Sequence, residues 1–366
     1  MKKFLVSLFL VLCVAFPARA DTTIALIGPM TGQFAIFGEQ IKHGAEQAVV
    51  DIDKKGGVNG QKLNLRILDD ACDPKQAITA ANLAVSSGIK FVVGHFCSGS
   101  SLPASKVYNE EGILMMSPAS SNPALTEAGF KNVFRTFGRD DREGDVLGLY
   151  IIKHFQGKKI AIAQDNSAYG RGLADQVKKT LNSVGIKEIM FESYSAGERD
   201  YSSLISRLKQ AGTEVVVLGG YHPEIGLIAR QMKEQGAHIQ IVVGNSVATD
   251  EFWKIAGPAA DGVIMSFGID PRNRPEAKEA LDAIRKGGYE PEAYTLYAYA
   301  SVEALAEAMK RAGNTDPVKV AAALRQAPVK TVLGDLGFDA KGDVTGVVTA
   351  IYVWHDGKYK EVDDAK

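Results

Sequence analysis

Three cysteines and six histidines in 366 residues, with 43 acids against 42 bases, leave several large classes of chemistry without their usual material. So little excess charge offers no basic footprint for nucleic acid or an anionic membrane. Past residue 20 no run is apolar for the roughly 20 residues that a bilayer span requires. His43, His154, His222, His238 and His355 are scattered, without metal-ligand spacing. No glycine-rich phosphate loop ending in Lys-Ser or Lys-Thr, no G-x-G-x-x-G turn after a strand and no G-x-S-x-G elbow is present, which removes the common α/β enzymes. His95 stands beside Cys97 and Ser98, but sequence neighbours are rarely aimed at one another for proton transfer. No catalytic residue, metal or cofactor is therefore expected, and an exported hydrolase using Ser98 is a remote alternative.

The chain does have a distinctive beginning. Lys2 and Lys3 precede an apolar stretch over residues 4–16, and Ala18-Arg19-Ala20 precedes Asp21. This order of basic, apolar and small residues predicts a secretory signal peptide over residues 1–20, cleaved after Ala20. Leu12 before Cys13 argues against a lipid tether, so a freely diffusing periplasmic protein is expected. Cleavage would remove Lys2, Lys3 and Arg19 but no acid, leaving the mature chain more acidic. Its length suits two domains at about 100 to 200 residues each. Only Cys72 and Cys97 would remain, and in an oxidising compartment an isolated pair more often bridges than reacts. A bridge between them would close a loop of about 25 residues and stabilise by about 3 kcal/mol.

Short β-branched runs alternate with helical patterns along the mature chain, as in parallel sheets covered by crossover helices. Strands are predicted over 22–27, 63–68, 91–93, 113–116, 159–163, 188–194, 214–218, 239–243 and 347–354. Helices are predicted over 170–184, 202–211, 224–235 and 293–312, among others. Asp73 is placed to cap a helix whose first turn holds Pro74. Two such series, divided near Gly138 to Asp141, predict two doubly wound lobes between which the chain crosses more than once.

In open parallel sheets, ligands sit at the carboxyl ends of the strands. The loops at 28–38, 94–101, 117–122, 166–170 and 219–224 are rich in hydroxyl, aromatic and glycine residues. Ser98 and its neighbouring serines, after a strand and before a helix, suit a carboxylate held by hydroxyls and N–H groups, although a helix cap also uses serine. Tyr169 and Tyr221 each stand just past a strand, where either a core or a pocket role is open.

Four segments go further: Asp69-Asp70-Ala71-Cys72-Asp73-Pro74-Lys75-Gln76, Val93-Gly94-His95-Phe96-Cys97-Ser98, Gly112-Ile113-Leu114-Met115-Met116-Ser117-Pro118-Ala119 and Gly219-Gly220-Tyr221-His222-Pro223-Glu224. They closely resemble the branched-chain amino acid binding proteins of ABC importers, and the resemblance covers essentially the whole mature chain. It implies a type I periplasmic binding protein of the α/β class, with two Rossmann-like lobes joined by three hinge crossings. One lobe would hold residues 21–139 and about 270–348, the other residues 140–269 and about 349–366. It also implies the Cys72 to Cys97 disulfide. By resemblance, Ser98 and Ser121 hold an amino acid carboxylate, the Ala119 carbonyl accepts from its ammonium, and Ser120 belongs to the same loop. Phe37, Phe96, Tyr169 and Tyr221 wall the side-chain pocket.

Three positions depart from the family pattern. Phe37 stands where Trp or Tyr is common, and Ser121 where Thr is common; both keep the ring or hydroxyl. Around Asn245 and Ser246 the family places an Asp or Glu that pairs with the ammonium, and here there is none. Losing such a partner costs a few kcal/mol, roughly, unless another acid substitutes; Asp140, Asp141, Glu224, Asp250 and Asp270 are the candidates. The expected function is delivery of an aliphatic amino acid to an inner-membrane ABC permease with cytoplasmic ATPases, by a monomer that binds no nucleic acid. The alternatives are a carboxylate ligand without an α-ammonium, such as a keto or aromatic acid, and a periplasmic ligand sensor.

Overall fold

The computed structural model describes residues 21–362; the signal peptide expected over residues 1–20, with Cys13, lies outside the described residues. β1 (Thr22–Gly28), β2 (Leu63–Asp69), β3 (Phe91–Gly94), β4 (Leu114–Ser117) and β5 (Val133–Arg135) form a parallel sheet in the order β2-β1-β3-β4-β5. Its central strands are buried along almost their whole length, as helices on both faces require. A second sheet takes β6 (Ile160–Gln164), β7 (Met190–Ser193), β8 (Val215–Gly219), β9 (Gln240–Val243) and β10 (Ile264–Gly268) in parallel. A small antiparallel sheet of β11 (Val329–Thr331), β12 (Gly334–Phe338) and β13 (Val344–Thr345) follows. β14 (Thr349–His355) and β15 (Lys358–Glu361) then return antiparallel to the edge of the second sheet, giving the order β15-β14-β10-β9-β8-β6-β7.

In both sheets the order in which strands are added reverses, in the first between β1 and β3 and in the second between β6 and β8, although the strands there remain parallel. At such a switch point neighbouring loops diverge to opposite faces and leave a crevice at the strands' carboxyl ends. The loops after β1, β3, β6 and β8 are four of the five singled out from the sequence.

The long late helix runs over Thr295–Ala312 and ends at Gly313, whose φ of 67° gives a left-handed stop. It packs along helix Ala35–Lys54 and against β3 and β4. The approach is close because Gly44 lacks a side chain: a Cβ there would stand 1.9 Å from the Thr295 carbonyl oxygen. Asp73 caps helix Pro74–Ser86 as expected, accepting from the amides of Lys75 and Gln76. Cys72 and Cys97 are bridged, with Cα atoms 5.5 Å apart.

The sequence reading missed β5, β10, the small sheet and β15. Helix His222–Glu234 begins two residues before the predicted 224, with Pro223 in its first turn, where the missing N–H costs no hydrogen bond. No helix among the described residues is long and apolar enough to cross a membrane.

Candidate functional site

A cavity of about 10 Å³ lies where the two sheets' loops meet, lined by Phe96, Ser98, Ala119, Ser121, Tyr169, Tyr221, Asn245, Ser246 and Tyr294. On the first sheet's side the wall is built from serines tied to one carbonyl. β3 ends at Gly94, and the His95 carbonyl oxygen accepts from the hydroxyls of Ser117 at 2.8 Å, Ser120 at 3.2 Å and Ser101 at 3.3 Å. Ser120 also donates to the Phe96 carbonyl at 2.9 Å. These bonds join the loop after β3 to the loop after β4. Ser98 opens helix Ser98–Glu110, and its hydroxyl accepts from the Asn122 amide at 3.3 Å. The His95 ring is fully buried between Asp70 at 2.6 Å and the Tyr108 hydroxyl at 2.8 Å.

Arg135, at the end of β5, holds this wall from behind. Its guanidinium donates to the carbonyls of Ser120 at 2.8 Å and Asn122 at 3.1 Å, on either side of Ser121, and pairs with Asp343 at 2.7 Å. Burial lowers its pKa, and the Asp343 charge opposes that shift.

The second sheet's side supplies rings and acids. Tyr169 sits in the first turn of helix Ala168–Ser183, which Ser167 caps, and Tyr221 precedes helix His222–Glu234; their rings are 5.2 Å apart. Asn245 follows β9. Its carboxamide accepts from the Tyr294 hydroxyl at 2.7 Å and donates to Glu143 at 2.5 Å, and Ser266 donates to the other Glu143 oxygen at 2.7 Å. Gly244 makes room for the arrangement, since a Cβ there would stand 2.4 Å from both the Tyr169 hydroxyl and a Leu173 methyl. Asp140 and Glu143 are almost wholly buried in the first turn of helix Asp140–His154. Burial raises Asp140 to about 7; burial, then the Asp140 charge, raises Glu143 to about 8.

A family model described as periplasmic binding protein matches residues 21–358. This chain belongs to that family. Within it, the chain is 48% identical to the Leu/Ile/Val-binding protein homolog 1 of Brucella melitensis over 98% of this chain and 97% of that one. It is 46% identical to an amino acid binding protein of Pseudomonas aeruginosa, covering 94% and 93%. The structure superposes on a leucine-binding protein from Thermotoga maritima with TM-score 0.86 and 26% identity, over 93% of this chain and 97% of that one. A branched-chain amino acid binding protein of Streptococcus pneumoniae, solved with isoleucine, gives TM-score 0.85 and 25% identity over 93% and 99%. The two-lobed type I fold expected from the resemblance is the fold of these periplasmic binding proteins.

Of the residues singled out from the sequence of this periplasmic binding protein, Phe96, Ser98, Ala119, Ser121, Tyr169, Tyr221, Asn245 and Ser246 meet around the cavity. Phe37 does not line it. Its ring is fully buried behind Phe96, stacked at 4.4 Å, with the edges of His222 and Tyr294 on its other sides. Ser120 also lies behind the wall, its hydroxyl committed to the loops. None of the candidate acids lines the cavity; Asp140 lies behind it, its amide donating to the Ser121 carbonyl at 2.9 Å. Asp141 pairs with Arg139, Asp270 with Arg272, Glu224 accepts from the Gly197 amide, and Asp250 is exposed. Glu143 and Tyr294 were missed: acids in a helix's first turn are the ordinary complement to its dipole, and Tyr294 stood inside an apolar helical pattern.

Proposed function

We propose that this protein binds an aliphatic amino acid in the interlobe cleft and delivers it from the periplasm to an ABC permease with cytoplasmic ATPases. One observation carries the reading. The cavity joins two hydroxyls and a carbonyl, at Ser98, Ser121 and Ala119, to an aromatic and amide wall on the opposite lobe. In this reading Ser98 and Ser121 hold the ligand carboxylate, the Ala119 carbonyl accepts from the ammonium, and Phe96, Tyr169, Tyr221 and Tyr294 enclose the side chain. The names of the relatives, Leu/Ile/Val-binding and amino acid binding, support this ligand class.

The cleft is closed. A cavity of about 10 Å³ has room for about one water, so a ligand enters when the lobes part. The proposed hinge is the set of three strands of chain near residues 136–139, 269–270 and 346–348, and closure around the ligand gives the permease a loaded form to recognise. Cross-cleft contacts hold the closed form: Asn122 donates to the Ala168 carbonyl at 2.6 Å, and the Phe34 ring lies 4.8 Å from Tyr221. The experiment is calorimetry of ligand-stripped mature protein with L-leucine, L-isoleucine, L-valine, L-alanine, their 2-oxo analogues and benzoate. Binding of at least one amino acid in preference to its oxo analogue is expected; binding of oxo or aromatic acids alone overturns the reading.

A further inference from the structure

Glu143 is a buried carboxylate with only neutral partners. Its oxygens accept from Asn245 and Ser266, and among the described residues no ion pair reaches it. Asp140, one turn earlier, is fully buried and its carboxylate has no hydrogen-bond partner among the described residues, although the Ser121 hydroxyl lies beside it. Arg135 and Arg139 are the cations closest to Asp140, and both are turned to Asp343, at 2.7 and 2.6 Å. The Tyr169 hydroxyl, on the cavity wall, is likewise buried without a partner among the described residues, the neighbouring Ser246 hydroxyl being spent on the Gly220 carbonyl. A carboxylate in such surroundings must take up a proton or meet a cation, because burying the bare charge is too costly.

Asn245 connects this acid to the cavity. Its Nδ2 is committed to Glu143, and its Oδ1, which accepts from Tyr294, retains a second lone pair on a residue that lines the cavity. We propose that Glu143, acting through Asn245, balances a cationic nitrogen on the ligand, and so makes the site prefer amines to carboxylates that lack one. Asn245 makes the contact; Glu143, held at 2.5 Å behind it, supplies the charge. The inference rests on the amino acid reading above and narrows it, since it removes the keto and aromatic acids that a neutral residue at 245 would otherwise admit.

A consequence is proton release. Facing Glu143 are Asp140, Tyr169, Tyr294, Tyr297, Asn245 and Ser266; facing Asp140 are Arg135, Arg139, Asp141, Ser121 and Tyr221. With Glu143 raised to about 8, the cleft binds a proton at neutral pH, which an arriving ammonium expels. Amino acid affinity then rises with pH up to about 8 and levels off above it.

The test is calorimetry of the mature protein with L-leucine, L-valine, L-alanine and 4-methyl-2-oxopentanoate from pH 6 to 9, in phosphate and Tris, with Glu143→Gln and Glu143→Asp. The wild type should release about one proton at pH 7 and gain about nine-fold in affinity from pH 6 to 7 and about five-fold from pH 7 to 8. Glu143→Gln should lose ten-fold or more for the amino acid and flatten that rise, while Glu143→Asp keeps the slope. Unchanged affinity and slope in Glu143→Gln, with the wild type still binding amino acids, overturns the role of Glu143 and leaves the amino acid reading intact. Binding of no amino acid overturns both. Should Glu143→Gln fail to fold by circular dichroism, the wild-type proton count decides, and release of no proton at pH 7 overturns the proposal.

Discussion

Replacing Arg135 with Met tests how the loop after β4, which forms part of the proposed binding site, is held. The guanidinium makes hydrogen bonds at 2.8 Å to the Ser120 carbonyl, 3.1 Å to the Asn122 carbonyl and 2.8 Å to the Thr126 hydroxyl, and pairs with Asp343 at 2.7 Å. Removing one partner of a buried, hydrogen-bonded ion pair costs about 3 to 5 kcal/mol. Asp343 would retain Arg139 at 2.6 Å and Thr126 at 2.9 Å, which places the expected loss at the lower end, about 3 kcal/mol. Urea denaturation should show a lower midpoint with an unchanged slope, because the surface exposed on unfolding is nearly the same. Ligand affinity should fall as well, since Ser121 lies between the two carbonyls that Arg135 fixes. Arg135→Lys restores charge but not the forked donor geometry, so it should recover part of the stability and little of the affinity. A loss below about 1 kcal/mol in Arg135→Met, or wild-type binding in Arg135→Lys, would refute the clamp.

Ser98→Ala should weaken amino acid binding about ten- to a hundred-fold, as expected for one charge-assisted hydrogen bond to the ligand, and lower the stability of the ligand-free protein by only about 1 kcal/mol for the acceptor lost to the Asn122 amide; calorimetry alongside a thermal melt checks both halves. Reducing the Cys72 to Cys97 bridge, or replacing both residues with serine, should cost about 3 kcal/mol in chemical denaturation. Gly44→Ala should destabilise by several kcal/mol, approximately, because no rotamer change moves a Cβ away from the Thr295 carbonyl at 1.9 Å. Asp140 and Glu143, raised to about 7 and about 8, contribute to ligand-free stability fully below about pH 4 and lose that contribution as pH rises through about 8. Melting temperatures of ligand-free wild type and Glu143→Gln should therefore diverge with rising pH in favour of the variant; parallel curves would contradict the assigned burial effect.

Much of this protein was determined by local pattern. Alternating β-branched runs and helical periods specify strands and helices, and the hydroxyl, glycine and aromatic loops fall at the strands' carboxyl ends because parallel connections put them there. Asp73 before Pro74 marks a helix start by its own chemistry, and two cysteines in an exported chain have few fates. Six of the residues that meet at one cavity lie in those loops for the same reason; Asn245 and Ser246 were singled out by the family resemblance. What tertiary structure alone decided is which distant groups complete the site. Glu143 and Asn245 are separated by 102 residues, and Tyr294 by 49 more, in elements whose local sequences read as an ordinary helix start, a turn and a core helix. The same is true of Asp343, which reaches Arg135 from the far end of the chain. Local sequence carries backbone preference and the periodicity of burial; it carries no measure of which charge will face which across a cleft. The neutral Asn245 therefore looked like a missing acid, and only the packing of helix Asp140–His154 against the second sheet placed Glu143 behind it.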